Sequence, residues 1–207
     1  LAPTNRAVKV LSNKTGILAN TVHSEIYTIK EVKNDDGVVL YNLLVPRIAA
    51  MAFDEDLEEK RDQKRLFIID ESSMLSATAN TDGALISNKS LLEDLYDYVK
   101  FLSPYNKLLF VGDSYQLPPI GHEGIAPALD IDYVATNFSK GVVQFELSTI
   151  LRQSSDSYII HLAQTIKEKI DSNVATYNVK VPNTLVNYQQ FIKDFIQKFD
   201  DSNTEKT

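Results

Sequence analysis

The sequence of 207 residues contains no cysteine and no tryptophan, and its formal net charge is −7. Without cysteine the chain forms no disulfide and no thiolate metal site, which fits a reducing compartment, and we expect a cytoplasmic protein. No apolar run approaches the roughly 18 residues of a membrane span, so we expect no membrane contact. The acidic balance argues against a broad basic surface for nucleic acid, but it permits a narrow groove that binds single strands by stacking.

Glycine is also scarce, with seven residues in the whole chain. The pattern Gly-x-x-x-x-Gly-Lys followed by Ser or Thr, which cradles nucleotide phosphates, is absent. The chain begins with Leu1-Ala2-Pro3-Thr4, which is typical of the end of a strand and has no initiator methionine. We therefore expect an internal fragment of a longer protein.

Two apolar runs that end in acidic residues are the most informative features of the chain. Residues 66–69 end at Asp70 and Glu71, and residues 108–111 end at a Gly-Asp pair, with Gln116 three positions after the Asp. Such runs are typical of buried parallel strands, whose carboxyl ends carry ligand chemistry. Paired carboxylates suit a general base and a ligand for the Mg²⁺ that accompanies a nucleotide. A single Asp-Glu pair more often caps a strand, but two such strands favour a nucleotide-hydrolysing site.

The remaining pattern predicts a mixed α/β fold. Residues 25–45 are β-branched and aromatic on both sides of Asn34-Asp35-Asp36-Gly37, which predicts a β-hairpin. Residues 142–147 predict a further strand. Helices are predicted over residues 5–19, 90–102, 159–170 and 188–199, the second of them opened by a capping box at Ser90.

Five short motifs, in the expected order, resemble those of superfamily 1 helicases. Ala2-Pro3-Thr4-Asn5-Arg6-Ala7 resembles motif Ia, Thr21-Val22-His23-Ser24 motif Ib, Asp70-Glu71-Ser72-Ser73-Met74 motif II, residues 112–119 motif III and residues 147–153 motif IV. Motifs II and III are similar to those of the RecD-like and Dda-type branch, which moves 5′ to 3′. The opposite-polarity branch usually has a Gln-Asp pair after its Asp-Glu and lacks the Leu-Pro-Pro tail.

The resemblance implies an ATP-dependent DNA helicase motor with ATP and Mg²⁺ as cofactors. Asp70 would hold Mg²⁺, and Glu71 would be the general base for the attacking water. Gln116 would hydrogen-bond the γ-phosphate, and Arg152 would contact the same phosphate as an arginine finger. An isolated arginine more often forms a surface salt bridge, but the place of Arg152 just after an apolar strand favours the finger.

The resemblance also implies single-stranded DNA and forked duplex DNA as partners. Backbone contacts would come from Pro3, Thr4, Asn5, Thr21, His23 and Ser24. The hairpin lies where the family inserts its 1B subdomain, whose pin splits the duplex, and its separating surface would comprise Asn34, Asp35, Asp36, Gly37 and Tyr41. A lone histidine such as His23 is more often structural, and a purely structural hairpin is an equal alternative to the pin. No histidine pair shows metal-ligand spacing.

The expected fold is therefore α/β: a RecA-like, mostly parallel sheet with helices on both faces, plus a small β-hairpin (1B pin) insertion. Residues 1–24 and 46–199 would form motor domain 1A without its Walker A segment, residues 25–45 the pin, and residues 200–207 a polar tail. We expect a monomer, inactive as an isolated fragment. Two alternatives remain open: an NTPase that remodels nucleoprotein without unwinding, and a non-catalytic fragment that binds single-stranded nucleic acid or a protein.

Overall fold

The computed structural model describes residues 1–52, 61, 63–81, 85–147 and 158–172. The chain divides into two compact units, Leu1–Glu146 and Leu147–Thr207. The described helices of the first unit are α1 (Asn5–Thr15), α2 (Val22–Ile26), α3 (Ile48–Met51), α4 (Leu91–Leu102) and α5 (Ile131–Asn137), with 3₁₀ turns at Ser72–Met74 and Pro127–Leu129. Its described strands are β1 (Tyr27–Lys33), β2 (Val39–Pro46), β3 (Leu66–Ile69), β4 (Leu85–Ile86) and β5 (Lys107–Phe110). In the second unit the described residues contain α6 (Tyr158–Asp171).

The two acidic-ended runs form a parallel pair, as predicted. β3 pairs with β5 in register from Leu66 with Lys107 to Ile69 with Phe110. The start of the chain extends this array on the other side of β3. The amino group of Leu1 donates to the carbonyl of Ile68 (2.7 Å), and the amide of Asp70 donates to the carbonyl of Leu1 (3.0 Å).

A fourth segment lies beside residues 1–2, on the side away from β3. Ala2 forms a parallel bridge with Thr21. The order of the parallel segments is therefore 20–22, 1–2, β3 and β5, and all four end at the same edge. Because the carboxyl ends of parallel strands converge, this edge is where the motif residues meet.

The array is covered on one face only within the described residues, whereas helices on both faces were expected. Phe67, Ile69, Leu108 and Phe110 belong to or pack against a core cluster that includes Leu95 and Val99 of α4. The alternate positions along the same strands are exposed: Leu66 by 57%, Ile68 by 45%, Leu109 by 45% and Val111 by 41%. Side chains alternate between the two faces of a strand, so one face is core and the other is open.

The predicted strand at residues 142–147 is wrong. The segment has no regular secondary structure, and Val143 (73%), Phe145 (87%) and Leu147 (96%) are exposed. A strand exists only where a neighbour pairs its backbone N–H and C=O groups. None of the strand pairings among the described residues includes this segment. Its β-branched and aromatic composition therefore misled the prediction.

The predicted hairpin is present. β1 and β2 pair antiparallel from Tyr27 with Pro46 to Lys33 with Val39. Asn34 closes the turn, because its side-chain oxygen accepts from the amide of Val38 (2.8 Å), and Gly37 adopts φ 80°. β2 also pairs in parallel with β4. The hairpin is thus part of a three-stranded sheet.

The helices follow the predicted patterns with shifted ends. α1 stops at Gly16, in the left-handed region at φ 70°, so Leu18 lies outside the helix and is 87% exposed. The capping box at Ser90 and Glu93 is formed. α6 confirms the predicted helix at 159–170, and the predicted helix at 188–199 lies outside the described residues. No described helix is long and apolar enough to cross a membrane.

One buried polar pair ties the hairpin to α4. The Tyr27 hydroxyl donates to Asp94 Oδ2 at 2.5 Å, and both residues are buried. Burial raises the pKa of Asp94, while the hydrogen bond from Tyr27 opposes that shift. The pair anchors the first strand of the hairpin to the helix that covers the parallel array.

Candidate nucleotide and nucleic-acid site

The carboxyl edge of the parallel array collects both groups of predicted residues. Asp70 and Glu71 follow β3, and the loop of Gln116 follows β5. Thr4 follows the segment at 1–2, and Thr21 lies within the segment at 20–22. The predicted nucleotide residues and the predicted DNA residues therefore lie on successive segments of one edge. The structure brings both groups together, although their roles stay predictions.

Glu71 has an unusual backbone conformation. Its φ of 53° and ψ of 40° lie in the left-handed region, and it is the one non-glycine residue with positive φ among the described residues. Such a conformation costs on the order of 1–3 kcal/mol and clusters at functional sites. The local fold holds it in place: the Glu71 amide donates to Asp70 Oδ1 (3.0 Å), and its carbonyl accepts from Met74 (3.2 Å). The predicted general base thus sits on a strained turn at the end of β3.

The turn after Glu71 is locked against β5. The Ser72 amide donates to the carbonyl of Val111 (2.9 Å), and its hydroxyl donates to the carbonyl of Ile69 (2.7 Å). Gly112 approaches this turn so closely that an added Cβ would lie 3.1 Å from the amide nitrogen of Ser73. That distance is tighter than most real Cβ contacts, so the glycine permits the close approach of the two motifs.

Gln116 is held by a buried hydroxyl from the other motif. The loop after Gly112 turns back at Asp113, whose carbonyl accepts from the Gln116 amide (3.1 Å). The Ser73 hydroxyl donates to Gln116 Oε1 at 3.0 Å, and Ser73 is fully buried. Gln116 itself is exposed. The side chain predicted to contact the γ-phosphate is therefore fixed at its acceptor end and is exposed.

The carboxylates fit the Mg²⁺ that accompanies a nucleotide. Such an ion usually takes one or two protein carboxylates and completes its shell with phosphate oxygens and water. Asp70 Oδ1 accepts from the Glu71 amide, and no described residue bonds to its Oδ2. No group of three or more metal-ligating side chains exists among the described residues. The chemistry of Asp70 therefore suits an ion delivered with the triphosphate better than a resident metal.

Two of the predicted DNA residues, Thr4 and Thr21, are the N-caps of helices. Thr4 is the N-cap of α1, where its side chain accepts from the amide of Ala7 (3.2 Å). Thr21 is the N-cap of α2, and its hydroxyl oxygen accepts from the amide of Ser24 (3.0 Å) and donates to the Ser24 hydroxyl (2.8 Å). Their structural role is therefore clear, and a contact with phosphate remains a prediction.

His23 of motif Ib and the base of the hairpin lie next to each other. The His23 ring lies 5.9 Å from the ring of Tyr27, and desolvation lowers the pKa of His23 although the residue is partly exposed. The lowered pKa favours the neutral imidazole. Arg47, directly after β2, donates to the carbonyls of Tyr27 (3.1 Å) and Ser24 (3.2 Å). The base of the hairpin therefore braces α2.

Other predicted residues lie apart from this edge or outside the described structure. Arg152 lies outside the described residues, so its arginine-finger role remains a prediction. The pin residues Asn34, Asp35, Asp36, Gly37 and Tyr41 lie on the hairpin of the three-stranded sheet. Sequence reasoning assigned no role to Ser73 or Gly112. Both stand inside the quoted motifs, but only coordinates show that one touches Gln116 and the other abuts the Ser72–Ser73 backbone.

Replacing Gly112 with alanine is expected to lower the free energy of unfolding by about 1–3 kcal/mol, as overpacking does. The new Cβ meets two backbone nitrogens, of Ser72 and Ser73, at 3.2 and 3.1 Å, and backbone atoms move less readily than the tip of a side chain. Denaturant unfolding of the chain measures the change. Gly141→Ala is the matched control, since no atom lies within 4 Å of its added Cβ. Equal effects of the two substitutions would contradict the close approach.

Comparison with known protein families identifies the family of this chain. A family model described as "AAA domain" matches residues 1–180, most of the chain, so the chain belongs to the AAA domain family. This membership supports a P-loop NTPase-like domain, of a kind that generally binds nucleotide with Mg²⁺. No curated protein and no solved structure matches the chain. The nucleotide-binding class inferred from the two strands is thereby supported, while the helicase branch and its direction stay predictions.

Proposed function

We propose that this chain is the first motor domain of an ATP-dependent DNA helicase of the RecD-like, Dda-type branch, which moves 5′ to 3′ on single strands. The observation that carries the proposal is the junction of motifs II and III. Two parallel strands deliver Asp70, Glu71 and Gln116 to one edge, where Ser73 donates to Gln116 at 3.0 Å. Membership of the AAA domain family supports the nucleotide half of this proposal.

The nucleotide chemistry divides between the two strand ends. Asp70 helps to hold the Mg²⁺ of MgATP, and Glu71 takes the proton of the water that attacks the γ-phosphate. Gln116 donates to the γ-phosphate, on which negative charge shifts as the bond breaks. Arg152 supplies a positive fork to the same phosphate. Catalysis of phosphoryl transfer depends mainly on positioning the reacting groups. This agrees with a site in which hydrogen bonds fix both the turn after Glu71 and the side-chain amide of Gln116.

The nucleic-acid contact uses the neighbouring segments of the same edge. Pro3, Thr4 and Asn5 and the segment Thr21–Ser24 face the sugar-phosphate backbone of single-stranded DNA. Helix N-termini favour phosphate, because their first amides are unpaired and the helix dipole is positive there, and α1 begins at this edge. Forked duplex DNA is the natural substrate, with the hairpin as the separating pin.

The deciding experiment is phosphate release by the full-length protein that contains these residues, with and without oligothymidylate. The proposal expects slow turnover that single-stranded DNA stimulates, together with separation of a duplex with a 5′ single-stranded tail. Stimulation without separation on any fork would favour a nucleoprotein-remodelling NTPase. DNA or protein binding without turnover would favour a non-catalytic binding fragment, for which the missing Gly-Lys loop is the observation in favour.

A further inference from the structure

The contact between Ser73 and Gln116 joins two motifs that are 43 residues apart in sequence. Ser73 has no exposed surface, and its hydroxyl donates to Oε1 of Gln116 at 3.0 Å. Ser73 belongs to the 3₁₀ turn that directly follows the strained Glu71. The partner of this buried hydroxyl is thus an exposed side chain rather than the nearby backbone, although Ser72 beside it bonds to the carbonyl of Ile69.

This contact sets which end of the carboxamide a ligand meets. A glutamine amide has an acceptor oxygen and a donor nitrogen, and an anionic phosphate oxygen accepts only from the nitrogen. With Oε1 engaged by Ser73, Nε2 remains as the donor, and no described residue bonds to it. The opposite orientation would place the amide oxygen against a phosphate, which is repulsive.

We propose that Ser73 is a positioning residue: it holds the carboxamide of Gln116 so that Nε2 faces the γ-phosphate, and it ties that amide to the turn carrying Glu71. The inference rests on the proposed ATP hydrolysis. It adds to that proposal a residue that touches neither nucleotide nor DNA. A carboxamide that is held by a fixed hydrogen bond needs little reorganisation when negative charge develops on the phosphate.

The test is a double-mutant cycle on ATP turnover by the full-length protein, with Ser73→Ala, Gln116→Ala and both together. Ser73→Ala is expected to lower kcat about tenfold with KM for ATP nearly unchanged, because one preorganised hydrogen bond is lost. In the Gln116→Ala background, Ser73→Ala is expected to change kcat no further. Additive losses would overturn the proposal, because independent residues add and coupled ones do not.

Ser72→Ala is the matched control for the loss of a buried hydroxyl. Ser72 is as buried as Ser73, but it donates to a backbone carbonyl and not to Gln116. Its effect is expected to add to that of Gln116→Ala. Gln116→Glu keeps an oxygen for Ser73 and removes the donor, so it is expected to be at least as impaired as Gln116→Ala. Near-normal kcat in Gln116→Glu would overturn the inference.

A readout without turnover separates this inference from the proposed function. The side-chain amide NMR signals of Gln116, identified by their loss in Gln116→Ala, are expected to shift in Ser73→Ala and to stay in place in Ser72→Ala. Unchanged signals in Ser73→Ala would overturn the Ser73 contact even in an active enzyme. An inactive wild-type protein whose Gln116 signals do respond to Ser73→Ala would instead overturn the proposed function and leave the orienting bond established.

Discussion

Glu71→Gln is expected to leave a protein that binds ATP and scarcely hydrolyses it. The substitution keeps the shape of the side chain and removes the carboxylate that accepts the proton of the attacking water. General-base catalysis contributes typically 10²–10⁴-fold, so a drop in kcat of at least about a hundredfold is expected. Phosphate release by the full-length protein gives kcat, and a fluorescent nucleotide gives the affinity. Affinity close to that of the wild type, with lost turnover, is the expected pair of results.

The control for this substitution removes the same charge elsewhere. Glu123 is exposed and lies outside both motifs, so Glu123→Gln tests the change of net charge alone. Turnover by Glu123→Gln is expected to match the wild type. Turnover by Glu71→Gln within a few-fold of the wild type would assign the base to another residue. A loss of nucleotide affinity in Glu71→Gln would point instead to a binding role.

The backbone of Glu71 gives this prediction a structural basis beyond the motif. A glutamate at φ 53° persists only where its surroundings fix it, here by the bond to Asp70 Oδ1 and by the 3₁₀ turn that follows. Glutamine has the same backbone freedom as glutamate, so Glu71→Gln changes the charge without adding strain. Glu71→Gln therefore tests the charge alone, whereas a substitution to alanine would also remove most of the side chain.

Local patterns predicted the elements that local interactions stabilise. The hairpin follows from the turn chemistry of Asn34 and Gly37, and the start of α4 follows from the Ser90–Glu93 capping box. The parallel pairing of β3 and β5 follows from two apolar runs with acidic ends. For the turn and the cap the physical cause lies within a few residues of the element, so the sequence contains it. β3 and β5 pair across a longer stretch of chain, and their shared composition was the signal.

The features that the sequence did not predict correctly depend on residues far away in the chain. Residues 142–147 have the composition of a strand, but a strand also needs a paired neighbour, which the pattern does not reveal. The exposure of Leu66 and Leu109 likewise depends on what covers the second face of the array. The orientation of Gln116 depends on Ser73, far away in sequence. Secondary-structure propensity and hydrophobic periodicity do not predict such contacts, which are seen only in the folded chain.

Shortening the hairpin is expected to separate ATP use from strand separation. Replacing residues 32–40 with a short Gly-Ser turn removes the tip and the outer rungs. It keeps the pairs from Tyr27–Pro46 to Glu31–Asn42 and the pairing of Asn42 and Leu43 with β4. The bond from Tyr27 to Asp94 and the contacts of Arg47 with α2 also stay. The base of the sheet should therefore fold as before. The variant loses Asn34–Gly37 of the proposed separating surface and keeps Tyr41.

The expected result is DNA-stimulated ATP turnover close to the wild type on oligothymidylate, with failure to unwind a forked duplex. The matched control is a hairpin of full length in which Asp35 and Asp36 become serine. If the length of the pin matters, this control unwinds normally, and if the acidic tip matters, it fails like the shortened variant. Normal unwinding by the shortened variant would make the hairpin a structural element only. Loss of turnover on single strands would instead show that the hairpin supports α2 and α4, to which Arg47 and Tyr27 are hydrogen-bonded.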